Sequence, residues 1–131
     1  MTAAPYRILV TGSRDWTDTD AICDALDTAV NEVPPHTRDV WLVVGDCPRG
    51  ADHIAATWAN TAGLTIERHL ARWTTHGRAA GPIRNAAMVR SGADLCLAFQ
   101  RDHSRGTTHT ITLARRAGIP IRLWTQNGNP Q

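Results

Sequence analysis

Along this chain, short blocks of adjacent apolar residues alternate with longer stretches in which apolar residues return every three or four positions. Val40-Trp41-Leu42-Val43-Val44 is apolar without a break, the pattern of a strand covered on both faces. Comparable blocks at 7–11, 64–70, 95–99 and 119–124 predict four more strands, and the imperfect alternation of 64–70 suits a sheet edge. Ile22, Leu26, Ala29 and Val33 fall on one helical face, which predicts a helix over 18–33, capped by Thr17 or Asp18 and stopped by Pro34-Pro35. Helices over 51–62, 82–91 and 107–117 follow from the same kind of spacing, with Gly63 and Gly118 at C-terminal ends and Pro82 in a first turn.

Strand and helix therefore alternate up to a fifth strand, the order of an α/β, Rossmann-like, doubly wound domain with a mainly parallel five-stranded sheet and helices on both faces. At 131 residues there is room for one domain and one packed core, not for separate cofactor and substrate domains. No repeat or low-complexity tract interrupts it, and residues 1–5 and 126–131 are expected to be flexible tails.

In such a sheet the loops leaving the carboxyl ends of the strands converge on one edge, so the residues in them matter together. After the first strand come Gly12, Ser13 and Arg14; after the second, Gly45, Asp46, Arg49, Gly50, Ala51 and Asp52. After the third a long loop leads to Arg84 and Asn85 in the first turn of a helix, and after the fourth come Ser104, Arg105, Gly106, Thr107 and Thr108. Helix N-termini offer unbonded N–H groups and partial positive charge, glycine admits close approach, and arginine brings bidentate donors. That chemistry predicts a phosphate-bearing small molecule, with Asp52 placed to cap a helix or hold a ribose hydroxyl.

Charge placement sharpens this. The net charge of +2 does not suit a protein that coats nucleic acid. All fourteen basic residues are Arg, which removes Schiff-base chemistry and a Walker-type phosphate lysine. Seven of the fourteen, Arg14, Arg49, Arg72, Arg78, Arg84, Arg101 and Arg105, lie in the four loops. Cys23, Cys47 and Cys96 have no C-x-x-C spacing, no stretch is long and apolar enough to span a bilayer, and the first residues lack a signal-peptide pattern. A reduced, cytoplasmic protein is expected, without membrane contact.

Other chemistry is weaker. His36, His53, His69, His76, His103 and His109 show no metal-ligand spacing, so no metal and no cofactor are expected. Cys47 has no base at a recognisable spacing and reads as a turn residue. Trp16 and Trp73 lie in convergent loops, where an aromatic ring can stack on a base, whereas Trp41, Trp58 and Trp124 fall within elements and are read as packing residues.

Together, T-G-S-R-D-W, G-D-C-P-R-G-A-D, A-G-P-I-R-N-A-A-M and S-R-G-T-T-H-T-I, in this order, closely resemble the YspA and YpsA-related branch of the SLOG superfamily, over about residues 6–124. That superfamily includes the Smf/DprA proteins and the Lonely Guy phosphoribohydrolases. The resemblance implies a Rossmann-like fold that binds nucleotides or nucleotide-derived ligands, and a homo-oligomer. Relatives variously cleave an N-glycosidic bond, sense nucleotide signals or bind single-stranded DNA. Against the Lonely Guy pattern, Arg84 matches the arginine, Asn85 stands at the lysine, and Thr110 stands where the catalytic glutamate is expected. Threonine cannot serve as the carboxylate that handles a ribosyl cation and its attacking water.

The functional expectation is therefore a module that binds or senses a nucleotide-derived ligand such as an ADP-ribose-like or cyclic nucleotide signal. The alternative is a hydrolase cleaving an N-glycosidic bond, which needs Asp46, Asp52 or Asp102 to replace the missing glutamate. A single-strand DNA binder fits least, because charge is mild and aromatics are few.

Overall fold

The computed structural model describes residues 4–34 and 38–127. Five strands, β1 (Tyr6–Gly12), β2 (Val40–Gly45), β3 (Thr65–His69), β4 (Leu95–Arg101) and β5 (Ile121–Gln126), form one sheet in the order β3-β2-β1-β4-β5. Every pairing is parallel, with Ile8 opposite both Leu42 and Leu95. This is the strand order of a doubly wound nucleotide-binding sheet, and the chain reverses direction across the sheet between β1 and β4.

The helices are α1 (Thr19–Asn31), α2 (Gly50–Ala62), a four-residue α3 (Trp73–His76), α4 (Ala80–Arg90) and α5 (Arg105–Arg116), with a 3-10 turn at Gly77–Ala79. Alternate residues of the strands bury opposite faces. Ile8, Val10, Leu42, Val44, Leu95, Leu97 and Phe99 pack with Ile22 and Leu26 of α1 and Ala51, Ala55 and Ala59 of α2. Leu9, Val43 and Cys96 meet Met88 and Val89 of α4 and Ala114 of α5 on the other side. Each fully buried aliphatic side chain contributes about 1.5–3 kcal/mol, and a one-residue slip would exchange the two faces, so register is firmly set.

Several boundaries depart from expectation. Asp18 is the cap of α1, its carboxylate accepting from the Ala21 N–H at 3.1 Å, but the helix ends at Asn31, before Pro34, and Pro35 lies outside the described residues. The stretch before Pro82 is not loop but α3 and the 3-10 turn, and α4 begins two residues early. Also two residues early, α5 begins at Arg105, which moves Arg105 and Gly106 from a loop into a first helical turn. Gln126, expected in a frayed tail, is the last residue of β5 and its side chain donates to Thr17 Oγ1 at 2.8 Å. At the other end the Ala4 and Pro5 carbonyls accept from Arg38 at 2.8 and 3.0 Å, which ties down the end of the expected N-terminal tail. Residues 1–3 and 128–131 of those tails, and His36, lie outside the described residues. Among the described residues no helix is long and apolar enough to cross a membrane.

Candidate functional site

At the carboxyl edge, where β1 and β4 part, a pocket of about 170 Å³ opens. Its walls take Gly12 from the end of β1, Arg14 from the loop after it, Asp52 from α2, Arg84 and Asn85 from α4, and Ser104, Gly106 and Thr107 from the start of α5. These eight were expected from the sequence. Thr11, Cys47 and Met88 also line it and were not among the expected site residues. Met88 follows Arg84 by one helical turn, the spacing that puts both on one face, and this was the available signal.

The walls differ in charge. On one side α5 begins with no acidic residue in its first turn, and no acceptor meets the Gly106 or Thr107 N–H among the described residues. A helix start of this kind favours an anion. Opposite it stands Asp52, 8% exposed, whose carboxylate accepts from the Cys47 N–H at 3.2 Å. Burial pushes its pKa up from 3.8 to about 6, against the lowering effects of that N–H, Arg84 and Arg14, and Asp46 adds to the rise.

Arg84 is held before any ligand arrives. Its Nε donates to Asn85 Oδ1 at 2.8 Å and its Nη1 to Asp46 Oδ1 at 2.9 Å, while Asp46 Oδ2 accepts from the Ala71 N–H at 3.1 Å. No partner meets Nη2 among the described residues, so a fixed guanidinium presents donors to the pocket. Gly45 makes room for this: a Cβ there would lie 2.5 Å from Arg84 Nη1 and 2.7 Å from Asp52 Oδ2. Gly45 and Asp46 thus act behind the pocket.

Other expected ligand residues are spent on the protein itself. Ser13 is 1% exposed, and its hydroxyl accepts from the Arg101 N–H at 2.8 Å and donates to the Arg101 carbonyl at 3.3 Å, strapping the first loop to β4. The Ala51 N–H, expected to face phosphate, donates to the Ser13 carbonyl at 3.2 Å, so the start of α2 is capped by the first loop. Gly50, at φ +71°, lies where a Cβ would sit 2.5 Å from the Arg14 backbone, so it serves loop packing. Arg49 and Arg105 are exposed at the edge outside the lining, and Thr108 accepts from Gln100 Nε2 at 2.6 Å.

The aromatic expectations divide. Trp16 cannot stack on a base: it is 4% exposed, edge-on to Phe99 at 5.5 Å, with its indole N–H given to the Asp18 carbonyl at 2.8 Å. Apolar packing against Phe99 prevailed over its loop position. Trp73 is half exposed on α3 and does not line this pocket. Thr110 is fully buried, its hydroxyl donating to the Gly106 carbonyl at 3.2 Å, so it is turned inward to the helix and has no path to a bound molecule.

The sequence profile of the YspA, cpYpsA-related SLOG family matches residues 6–76, which is more than half of the chain. The chain belongs to that family. Over 120 residues it is 43% identical to the Gene 61 protein of Mycobacterium phage D29, with 88% of this chain and 93% of that one covered. No solved structure matches significantly. Membership makes this SLOG protein a nucleotide-related module in general terms. The matched segment holds the first two loops and Asp52; Arg84, Asn85 and the α5 start lie beyond it.

Proposed function

We propose that this SLOG-family protein binds a nucleotide-derived, phosphate-bearing ligand, of the ADP-ribose or cyclic nucleotide type, at the β1/β4 edge. The observation that carries the reading is the pairing of an acid-free α5 start with the pre-set Arg84 across one pocket. Phosphate takes the α5 N–H groups with Arg14 and Arg84, and Asp52 accepts from a sugar hydroxyl. Titration calorimetry with AMP, ADP-ribose, NAD and cyclic nucleotides should show binding that weakens with salt. Arg14 is exposed and its side chain makes no hydrogen bond or ion pair among the described residues, so Arg14→Ala should keep the fold and weaken binding about tenfold or more. Arg115→Ala, in the last turn of α5, should leave affinity unchanged. A folded protein silent to the whole panel, or equal affinities for both variants, sinks the proposal.

One observation favours a second reading, hydrolysis of the N-glycosidic bond of such a ligand. Asp52 is a carboxylate in the pocket wall whose pKa of about 6 suits proton transfer near neutrality, the service Thr110 cannot supply. Free base accumulating from AMP with the parent protein and not with Asp52→Asn would establish it.

A further inference from the structure

Beside the first pocket lies a second, larger cavity of about 410 Å³, between the end of β3, α3 and the first turns of α4. Arg68, Arg72 and His76 line it, Leu70 and Ile83 supply apolar wall, and no carboxylate does. Arg68 and Arg72 are exposed and pair with no carboxylate among the described residues. Leu70 and Ile83, 60% and 44% exposed, are two of four large apolar side chains left open to solvent among the described residues. Arg84 stands in the walls of both cavities.

Size and charge set the two cavities apart. Pockets that enclose a whole small-molecule ligand measure about 300–1,000 Å³, and the first pocket, at about 170 Å³, is below that range. Its cations are offset by Asp52 and by Asp46 on Arg84. In the second cavity Arg68 and Arg72 have no such offset among the described residues, next to a patch able to cover an apolar group. We infer that the two cavities are subsites of one ligand: a nucleotide whose second phosphate, beyond the phosphoribosyl unit in the first pocket, passes Arg84 and is received by Arg68, Arg72 and His76.

This rests on the nucleotide reading above and adds the ligand's length and charge. A pyrophosphate link and a phosphodiester link both supply the second phosphate, so the probes are AMP, ADP-ribose and the dinucleotide pApA, titrated calorimetrically into the parent and into Arg68→Ala/Arg72→Ala. At least one longer probe should bind the parent about tenfold or more tighter than AMP, and the double variant should lose that advantage while its affinity for AMP stays within about twofold. Preference for ADP-ribose or for pApA tells which link is used. AMP binding as tightly as both longer probes, or a double variant weakened equally toward all three, overturns the inference and leaves the first pocket standing. Failure of all three on folded parent protein overturns the nucleotide reading and this one with it.

Discussion

Burial of the Asp52 carboxylate raises its pKa from 3.8 to about 6, and that shift is a statement about stability. Between those values the folded protein keeps a proton that the unfolded chain has released. Stability from this group is therefore present below about pH 4 and is lost as pH rises through about 6. At neutral pH the charged side chain opposes folding, with one N–H from Cys47 and the nearby Arg84 as partial relief. Asn of the same shape can accept that N–H without the charge. Asp52→Asn should thus be more stable than the parent above pH 6, by about 1–2 kcal/mol, with the gap closing toward pH 4. Urea melts at the two pH values measure this; an equal gap at both would show that burial does not shift this carboxylate. A residue that costs stability at working pH and lines a pocket is a candidate for ligand chemistry, the role proposed above for Asp52.

At the scale of elements, the start of α5 depends on the turn that delivers it. Asp102 and His103 both adopt left-handed backbone, at φ +50° and +55°, and are the only described non-glycine residues to do so. Ser13 holds the Arg101 backbone, Asp102 N–H donates to the Gln126 carbonyl at 3.1 Å, and Ser104 N–H to the Arg101 carbonyl at 3.2 Å. A β-branched residue is poorly tolerated in that conformation. His103→Val should cost about 1–2 kcal/mol and weaken ligand binding by shifting Gly106 and Thr107, whereas His103→Gly should be nearly neutral. Matched melts for the two variants would refute the strained-turn account. The turn also shows what sequence pattern reads and what it misses. The run Val40 to Val44 and the spacing Ile22, Leu26, Ala29 placed strand and helix correctly, because burial is periodic. The short α3 was missed and the starts of α4 and α5 were misplaced, because Gly81 and Gly106 are poor helix formers and none of Arg72, Ala79 and Ser104 makes a side-chain cap. Loop convergence was legible from strand order, yet the use of the Ala51 N–H by Ser13 was not, since nothing in either loop's sequence tells which donors the other will consume.

Across the whole molecule, the arginines divide by end and by layer. Arg7, Arg38 and Arg122 meet carboxylates, as do Arg84 and Arg101 at the carboxyl edge, whereas Arg14, Arg68, Arg72 and Arg105 at that edge meet none among the described residues. Charge at one end is thus used for folding, and at the other part of it has no protein carboxylate, as the proposed anion site requires. The folding role is clearest in Arg7, which reaches from β1 past β2 to Glu67 on β3 in two bonds of 2.8 and 2.7 Å, and gives its Nε to the Gly92 carbonyl at 2.7 Å. Bonds from Arg7, and next from His69, hold the Glu67 carboxyl down from 4.5 to about 2 despite partial burial. The sign is opposite to that of Asp52: this stability is present above about pH 4.5 and is lost as pH falls through about 2. Acid should therefore loosen the central and edge strands from one another in that window. Glu67→Gln keeps an acceptor for Arg7 but loses the charge, so it should destabilise the protein at pH 7 by about 1–3 kcal/mol. The deficit should shrink as pH drops below about 4, where the parent begins to lose the same interaction. Chemical denaturation of both proteins at pH 7 and pH 3 decides it, and a deficit that stays constant between them would mean that the Arg7–Glu67 bond contributes shape without charge.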